Sequence, residues 1–297
     1  MGKDGSGKWQ LQKKVVGELS VFSFDPRSQY LYISTWNDFF SLPDKMAKYN
    51  IALYLLMSLL YIVHGRRIED RQFRRRSNKF DVVIFTQSWP LTACFVWKES
   101  SETHSCSLPK RDEWTIHGIW PTRYNTKGPE FCNKSLPFNA SVLAPLESEL
   151  KENWTDIHKG SKPYSFWKHE WNKHGTCAVT IKALNNEYNY FQEGLKLLNT
   201  YNMIDVLAKA NILPGNSYTV DNMLTGIEKV LDKRGQIMCV KDKKTGDSYV
   251  SEIRICFDKE LQLTDCDGIY EFPTNCDISQ EIIYPSYVPQ THHVVQI

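Results

Sequence analysis

Residues 166–177 have the sequence FWKHEWNKHGTC, the stretch on which the fold assignment depends. Ser165 is a suitable N-cap and Gly175 a suitable residue just after the last turn, so the stretch predicts one short helix. On a helix, side chains four positions apart share a face. Two imidazoles, a carboxylate and an ammonium have that spacing: His169 with Lys173, and Glu170 with His174. A surface helix has no structural need for this combination, which favours a chemical role.

The spacing argues against a zinc protease, although His169-Glu170 begins like the motif H-E-x-x-H. The position that the motif gives to its second histidine holds Lys173, and an ammonium cannot ligate a metal. The next imidazole, His174, lies about 140° around the helix from His169. The chain also lacks the Gly-x-Ser-x-Gly motif of many serine hydrolases. We therefore predict chemistry without a metal and without a cofactor.

Residues 114–121 have the sequence WTIHGIWP and predict a strand over Trp114–Trp120, bounded by Pro121. Period-two alternation gives the strand two faces, one with Thr115, His117 and Ile119 and the other with Trp114, Ile116 and Trp120. We expect Gly118 to leave open space beside the imidazole, which suits a ligand. The alternative is a core histidine whose two nitrogens are both satisfied.

The other predicted elements are segregated along the chain. Strands are predicted at Phe80–Thr86, Gln236–Val240, Ser248–Phe257 and Leu261–Thr264, with a hairpin turn at 243–247. Helical spacing marks Ser141–Trp154 and Asn186–Leu198. This segregation favours the α+β class, with residues 80–297 as a single domain.

The composition excludes several classes of protein. Lys and Arg number 36 against 34 Asp and Glu, for a net charge of +2, and 41% of the residues are hydrophobic. These values are typical of a globular domain and argue against disorder or a coiled coil. Any binding of nucleic acid must come from a local site, because the chain has no bulk basic field.

The N-terminal region carries a candidate export signal at residues 46–65. The uncharged run Ile51–Val63 is followed by His64 and Gly65, as in a cleavable signal, and is shorter than the roughly 20 residues that span a membrane. Translation from Met46 would make residues 1–45 an upstream extension. A start at Met1 would leave a buried apolar run or a signal-anchor. Residues 66–79 are either a basic propeptide or a solvated linker.

The cysteines support export. All eight lie between Cys94 and Cys276, with no Cys-x-x-Cys pair and no zinc-finger spacing, so they predict disulfides formed in an oxidising compartment. Three glycosylation sequons begin at Asn133, Asn139 and Asn153.

Two histidines beside a lysine suit cleavage of a phosphodiester in RNA. That reaction needs a base for the 2′-OH, an acid for the leaving 5′-oxygen and positive charge on the phosphate. The two quoted stretches resemble the signature segments of the ribonuclease T2 family, secreted acid endoribonucleases of α+β fold. The resemblance runs from about Phe80 to about Cys276 and includes Gln87-Ser88-Trp89-Pro90.

The resemblance implies a central antiparallel sheet with helices packed around it. His174 would be the general base and His117 the general acid, while Glu170 and Lys173 polarise the phosphate. His169 would bind the phosphate or orient the imidazoles. The products would be a 2′,3′-cyclic phosphate and then a 3′-phosphate, and DNA would not be cut because it lacks the 2′-OH.

Base binding is where the sequence departs from the family. The resemblance makes Trp120 and Tyr124 candidates for stacking the 5′-side base, Phe166 for the 3′-side base and Gln87 for a further substrate contact. Core packing is the alternative for each aromatic ring. Many family members carry Asp where this chain has Thr122, so no base preference is carried over.

The resemblance also implies a pairing of the cysteines and a setting for the protein. The implied disulfides are Cys94–Cys106, Cys132–Cys177, Cys239–Cys276 and Cys256–Cys266. We expect a monomer that acts on RNA in the extracellular space or the lysosomal lumen, without stable membrane association. Two alternatives stay open: a secreted signalling or binding glycoprotein with incidental catalysis, and a form tethered through Ile51–Val63.

Overall fold

The structure, a computed structural model, describes residues 79–291 continuously. Before them it describes two separate antiparallel strand pairs: β1 (Gly2–Lys3) with β2 (Trp9–Gln10), and β3 (Val21–Phe24) with β4 (Leu31–Ser34). The predicted signal at 46–65 lies outside the described residues, as does all but the last residue of the predicted propeptide or linker. Within the described residues, no helix combines the length and apolar character needed to cross a membrane.

A seven-stranded sheet organises the region after residue 79. Its strands are β5 (Val82–Ser88), β6 (Thr115–Thr122), β7 (Asn216–Tyr218), β8 (Gln236–Lys241), β9 (Ser248–Phe257), β10 (Leu263–Thr264) and β11 (Ile282–Tyr284). The order is β6-β5-β9-β11-β7, and β8 and β10 also pair with β9. All pairs are antiparallel except β9 with β11, so the sheet is mixed, with the antiparallel pairing that was predicted predominating.

The helices flank this sheet, as an α+β fold requires. They are α1 (Pro90–Glu99), α2 (Glu147–Asn153), α3 (Ser165–Glu170), α4 (Thr176–Ala178), α5 (Glu187–Thr200), α6 (Met203–Lys209) and α7 (Val220–Leu231). The side chains of Asn186, Asn202 and Thr219 cap α5, α6 and α7. The predicted helix at 141–154 begins as a 3₁₀ helix containing Pro145, which has no N–H for an α-helical bond.

The core lies on both sides of β5. Val83 and Phe85 join the large cluster under the helices, and Val82 and Ile84 join a small cluster with Cys256 and Cys266. Among the largest fully buried side chains are four tryptophans: Trp89, Trp114, Trp154 and Trp171. Several aromatic residues of the signature segments therefore build the framework that holds the site.

Four disulfides tie this framework together: Cys94–Cys106, Cys132–Cys177, Cys239–Cys276 and Cys256–Cys266. They are the four that the family resemblance implies. The Cys132–Cys177 bond joins a loop to α4, directly after the helical segment that carries His174.

Candidate active site

A β-bulge places His117. In the ladder between β5 and β6, Thr86 pairs with Gly118 and Gln87 with Ile116, which leaves His117 without a partner. Strict alternation put His117 and Trp120 on opposite faces, and that prediction was wrong: their ring centroids lie 4.9 Å apart. The extra residue shifts the alternation by one position, as bulges beside active sites commonly do.

The helical segment is also irregular. The predicted single helix is instead α3, a π-helical turn at Trp171–Gly175 and then α4. The N-cap is Tyr164, with φ of 61°, rather than Ser165. Gly175 does not end the helix: a Cβ there would overlap the ring of Trp171, so the glycine allows a close approach. A π-turn of this kind is frequent at functional sites.

Gly118 has a similar role, and the open space expected beside it is filled. A Cβ at this position would overlap both Glu170 Oε2 and Trp120 Nε1. The Trp120 indole donates a hydrogen bond to Glu170 Oε2 at 2.9 Å. Only a glycine therefore lets this bond pass directly over the strand.

His117 is held between two carboxylates. Its Nδ1 lies 2.5 Å from Glu252 Oε1, and its Nε2 lies 3.9 Å from Glu170 Oε1. Burial would lower the pKa of His117, but the charge and hydrogen bond of Glu252, together with the charge of Glu170, raise it above its ordinary value. The ring is therefore disposed to carry a proton.

Glu252 and Arg254 are site residues that sequence reasoning missed. Arg254 donates to Glu252 Oε2 through Nη2 at 2.6 Å and Nε at 3.1 Å, and its guanidinium lies 5.1 Å from the Trp120 ring centroid. Burial opposes the charge on Glu252, yet His117 and Arg254 bring its pKa down to about 2. The available signal was two charged residues, two positions apart, within the strand predicted at Ser248–Phe257.

His174 has the opposite electrostatic setting. Its side chain is buried, its ring centroid lies 5.2 Å from that of Trp120, and its Nδ1 has no hydrogen-bond partner among the described residues. Burial and then the positive charges of Lys173, His117 and His169 lower the pKa of His174 well below its ordinary value. A neutral imidazole here is disposed to accept a proton.

Glu170 is almost wholly enclosed. Its side chain is 1% exposed, and burial raises its pKa, against the opposing effects of His117, Trp120 and Lys173. The Lys173 ammonium lies 3.3 Å from Glu130 Oε1 and remains partly exposed. His169 is an exposed residue whose ring is still partly desolvated by its neighbours. This desolvation, and then the charges of Lys173 and His117, lower the pKa of His169.

The predicted base-binding residues separate into two groups. Trp120 lies against both histidines, and the Phe166 ring centroid lies 5.8 Å from that of His117. Tyr124 is exposed in the loop after β6, where its ring packs beside Gly268. Two of the three predicted rings, Trp120 and Phe166, therefore lie beside His117.

Gln87 is a correction to the predicted substrate contacts. It is 1% exposed, its amide donates to Tyr201 O at 2.7 Å, and its Oε1 accepts from Met203 N at 3.1 Å. Both polar atoms are thus used at the junction of α5 and α6. Gln87 has a structural role because alternation along β5 points it into the core.

The three sequons differ in exposure. Asn139 is exposed, and Asn133 and Asn153 are half-buried. The side chains of Asn133 and Asn139 each accept a hydrogen bond from the backbone two residues further on. These asparagines therefore lie in or beside surface loops.

Comparison with known proteins gives consistent results. Residues 80–266 match the model of the ribonuclease T2 family. The chain is 38% identical to ribonuclease Oy of Magallana gigas, over 68% of this chain and 94% of that protein. It is 34% identical to extracellular ribonuclease LE of Solanum lycopersicum, over 70% of this chain and 87% of that protein. The crystal structure of RNase NT with 5′-AMP superposes with a TM-score of 0.59 at 30% identity, covering 70% of this chain and 98% of that one. The crystal structure of human RNase T2 superposes with a TM-score of 0.55 at 30% identity, covering 69% of this chain and 98% of that one.

Proposed function

The chain belongs to the ribonuclease T2 family of RNA endonucleases, and from the geometry of its site we propose that it cleaves single-stranded RNA by acid–base catalysis between His174 and His117. The observation that carries this proposal is a pair of imidazoles, each against Trp120, whose environments favour opposite protonation states. A base and an acid are thereby available together at mildly acid pH.

In the first step, neutral His174 removes the proton of the ribose 2′-OH. The 2′-oxygen attacks the adjacent phosphorus, the bond from phosphorus to the 5′-oxygen breaks, and His117 gives its proton to that leaving oxygen. The products are a 2′,3′-cyclic phosphate and a free 5′-OH. In the second step the histidines exchange roles: His117 removes a proton from a water molecule, and the water oxygen attacks the phosphorus. The bond from phosphorus to the 2′-oxygen breaks, and His174 gives its proton to that oxygen, which leaves a 3′-phosphate and a free 2′-OH.

Glu170 and Lys173 stabilise the charge that develops on the phosphate. Burial raises the pKa of Glu170, so a larger fraction of this carboxyl is protonated at acid pH than for an ordinary glutamate, and the protonated form can donate a hydrogen bond to a phosphate oxygen. The ammonium of Lys173 adds positive charge near Glu170, where the phosphate would bind. His169 is exposed beside it and binds the phosphate or orients the imidazoles.

The aromatic rings bind the flanking bases. Trp120 and Tyr124 are assigned to the 5′-side base and Phe166 to the 3′-side base, since stacking on such rings is favourable for every base. RNase NT, a structural neighbour, has been crystallised with 5′-AMP, which supports a nucleotide site in this fold. DNA is not a substrate because it lacks the attacking hydroxyl.

We place the protein in the secretory pathway, as a secreted or lysosomal glycoprotein. Four disulfides, surface sequons and the candidate signal at 46–65 support this location. The similarity to a protein named an extracellular ribonuclease agrees with it. Asn139 is the best-exposed acceptor for glycosylation.

Digestion of yeast RNA near pH 5 tests the proposal. We expect His117→Ala and His174→Ala each to lose at least 100-fold in rate, with EDTA leaving the wild type unaffected. Wild-type turnover in either folded variant would contradict the acid–base pair. Loss of activity in EDTA would contradict a metal-free reaction.

A further inference from the structure

A chain of polar side chains leads from His117 across the sheet, outside the set of residues assigned above. Glu252 Oε1 contacts His117 Nδ1, and Glu252 Oε2 accepts two hydrogen bonds from Arg254. Arg254 Nη1 donates in turn to Gln236 Oε1 at 3.1 Å, and the Gln236 amide donates to Tyr270 O. Every link is well within hydrogen-bonding distance, so the position of the carboxylate is fixed from both sides.

We propose that Glu252, fixed by Arg254, is a positioning residue for the reaction: it orients the His117 ring through Nδ1 and stabilises the protonated ring, whose Nε2 donates the proton. This inference depends on the proposed function. Glu252 itself does not contact the reacting atoms, because it lies at Nδ1, on the opposite edge of the ring from the nitrogen near Glu170.

The geometry explains the orientation. A carboxylate at Nδ1 requires a hydrogen on that nitrogen in both the charged and the neutral ring, which fixes the tautomer. Nε2 is then the nitrogen that gains and loses the catalytic proton. The backbone is fixed as well, since the Trp154 indole donates to His117 O at 2.9 Å.

The charges around the ring explain why it stays protonated. The titratable and charged groups that interact with His117 are Glu252 and Arg254 from β9, and Glu170, His169 and His174 from the helical segment. Lys173 acts on the last three of these groups. Arg254 opposes a charge on His117, but it also helps to bring the pKa of Glu252 down to about 2. The countercharge therefore persists at acid pH, where an ordinary glutamate becomes protonated.

Glu252→Gln tests the proposal because it keeps the shape and an acceptor but removes the charge. The assay is kcat/KM for a fluorescently quenched RNA oligonucleotide between pH 4 and pH 9. We expect the alkaline limb to move about one pH unit toward acid, so that kcat/KM at pH 9, beyond the limb, relative to pH 5 falls about tenfold below the wild-type ratio. Glu260→Gln, an exposed glutamate beyond the end of β9, is the matched control and should leave the profile unchanged.

Titration of the wild-type protein by NMR provides a readout that needs no variant to fold. We expect His117 to titrate above pH 6.5, and its neutral form to carry the proton on Nδ1. Titration at or below pH 6.5, or a neutral ring protonated on Nε2, would overturn the proposal, as would an unchanged alkaline limb in folded Glu252→Gln. Full activity of His117→Ala would instead refute the proposed function.

Discussion

Replacing Gly118 with alanine tests the packing at the centre of the site. Strand propensity alone would make this change favourable by about 0.5–1 kcal/mol. The structure predicts the opposite sign, because the new methyl group would overlap Glu170 Oε2 and Trp120 Nε1. Glu170 is 1% exposed and has no room to retreat without losing the indole bond.

The size of the effect follows from that bond. Leaving a buried donor and acceptor unpaired costs about 1–3 kcal/mol, which for a domain of this size lowers Tm by about 2–4 °C per kcal/mol. A displacement of about 1 Å in the catalytic carboxyl group costs about 100-fold in rate. We therefore expect a folded enzyme with a lower Tm and a strongly reduced kcat/KM.

The measurements are calorimetry and RNA cleavage near pH 5. The matched control is Gly246→Ala, in the hairpin between β8 and β9, where φ is 81° and a Cβ would meet no atom within 4 Å. That variant carries backbone strain of about 1–2 kcal/mol but leaves the site intact, so it should lose stability and keep its specific activity. If Gly118→Ala matched the wild type in both measurements, the packing argument would be refuted.

Three further predictions address the framework and the pH dependence. Cys177→Ser should lower activity severalfold by misplacing His174; wild-type specific activity in the folded variant would contradict this. Gln87→Ala should lower the free energy of unfolding by about 1–3 kcal/mol with KM unchanged, because both amide atoms bond the backbone; a raised KM at unchanged Tm would restore a substrate role. Burial raises the pKa of Glu187 to about 7, although the hydrogen bond from the Asn139 backbone acts in the opposite direction. Between about pH 4.5 and pH 7 this carboxyl is therefore protonated in the folded state and ionised in the unfolded state. Its contribution to the free energy of unfolding is present at acid pH and is lost as pH rises through 7, so we expect Tm to decline between pH 5 and pH 7. Glu187→Gln should flatten that decline when Tm is measured by calorimetry.

The location of the site could be predicted from local sequence. His117 lies in a recognisable strand, and His169, Glu170, Lys173 and His174 lie in one helical stretch, because short-range patterns of apolar and polar residues mark such elements. The strand predicted at 248–257 matches β9, and the strand predicted at 80–86 overlaps β5, which begins and ends two residues later. Resemblance to a family then supplied the roles and the disulfide pairs, which spacing alone could not.

What escaped prediction depends on contacts between distant parts of the chain. The bulge at His117 is a property of the register between β5 and β6, and a register belongs to two strands. Glu252 lies 135 residues after the histidine that it contacts. Gln87 looked available until the packing of α5 and α6 showed both of its polar atoms in use.

The fold class and the chemical groups of the site could be inferred from the chain alone, because periodicity and composition are local properties. Which histidine is disposed to hold a proton depends on the folded molecule. Protonation depends on burial and on charges within a few ångströms, and folding brings Glu252 to one imidazole and leaves Nδ1 of the other buried without a partner among the described residues.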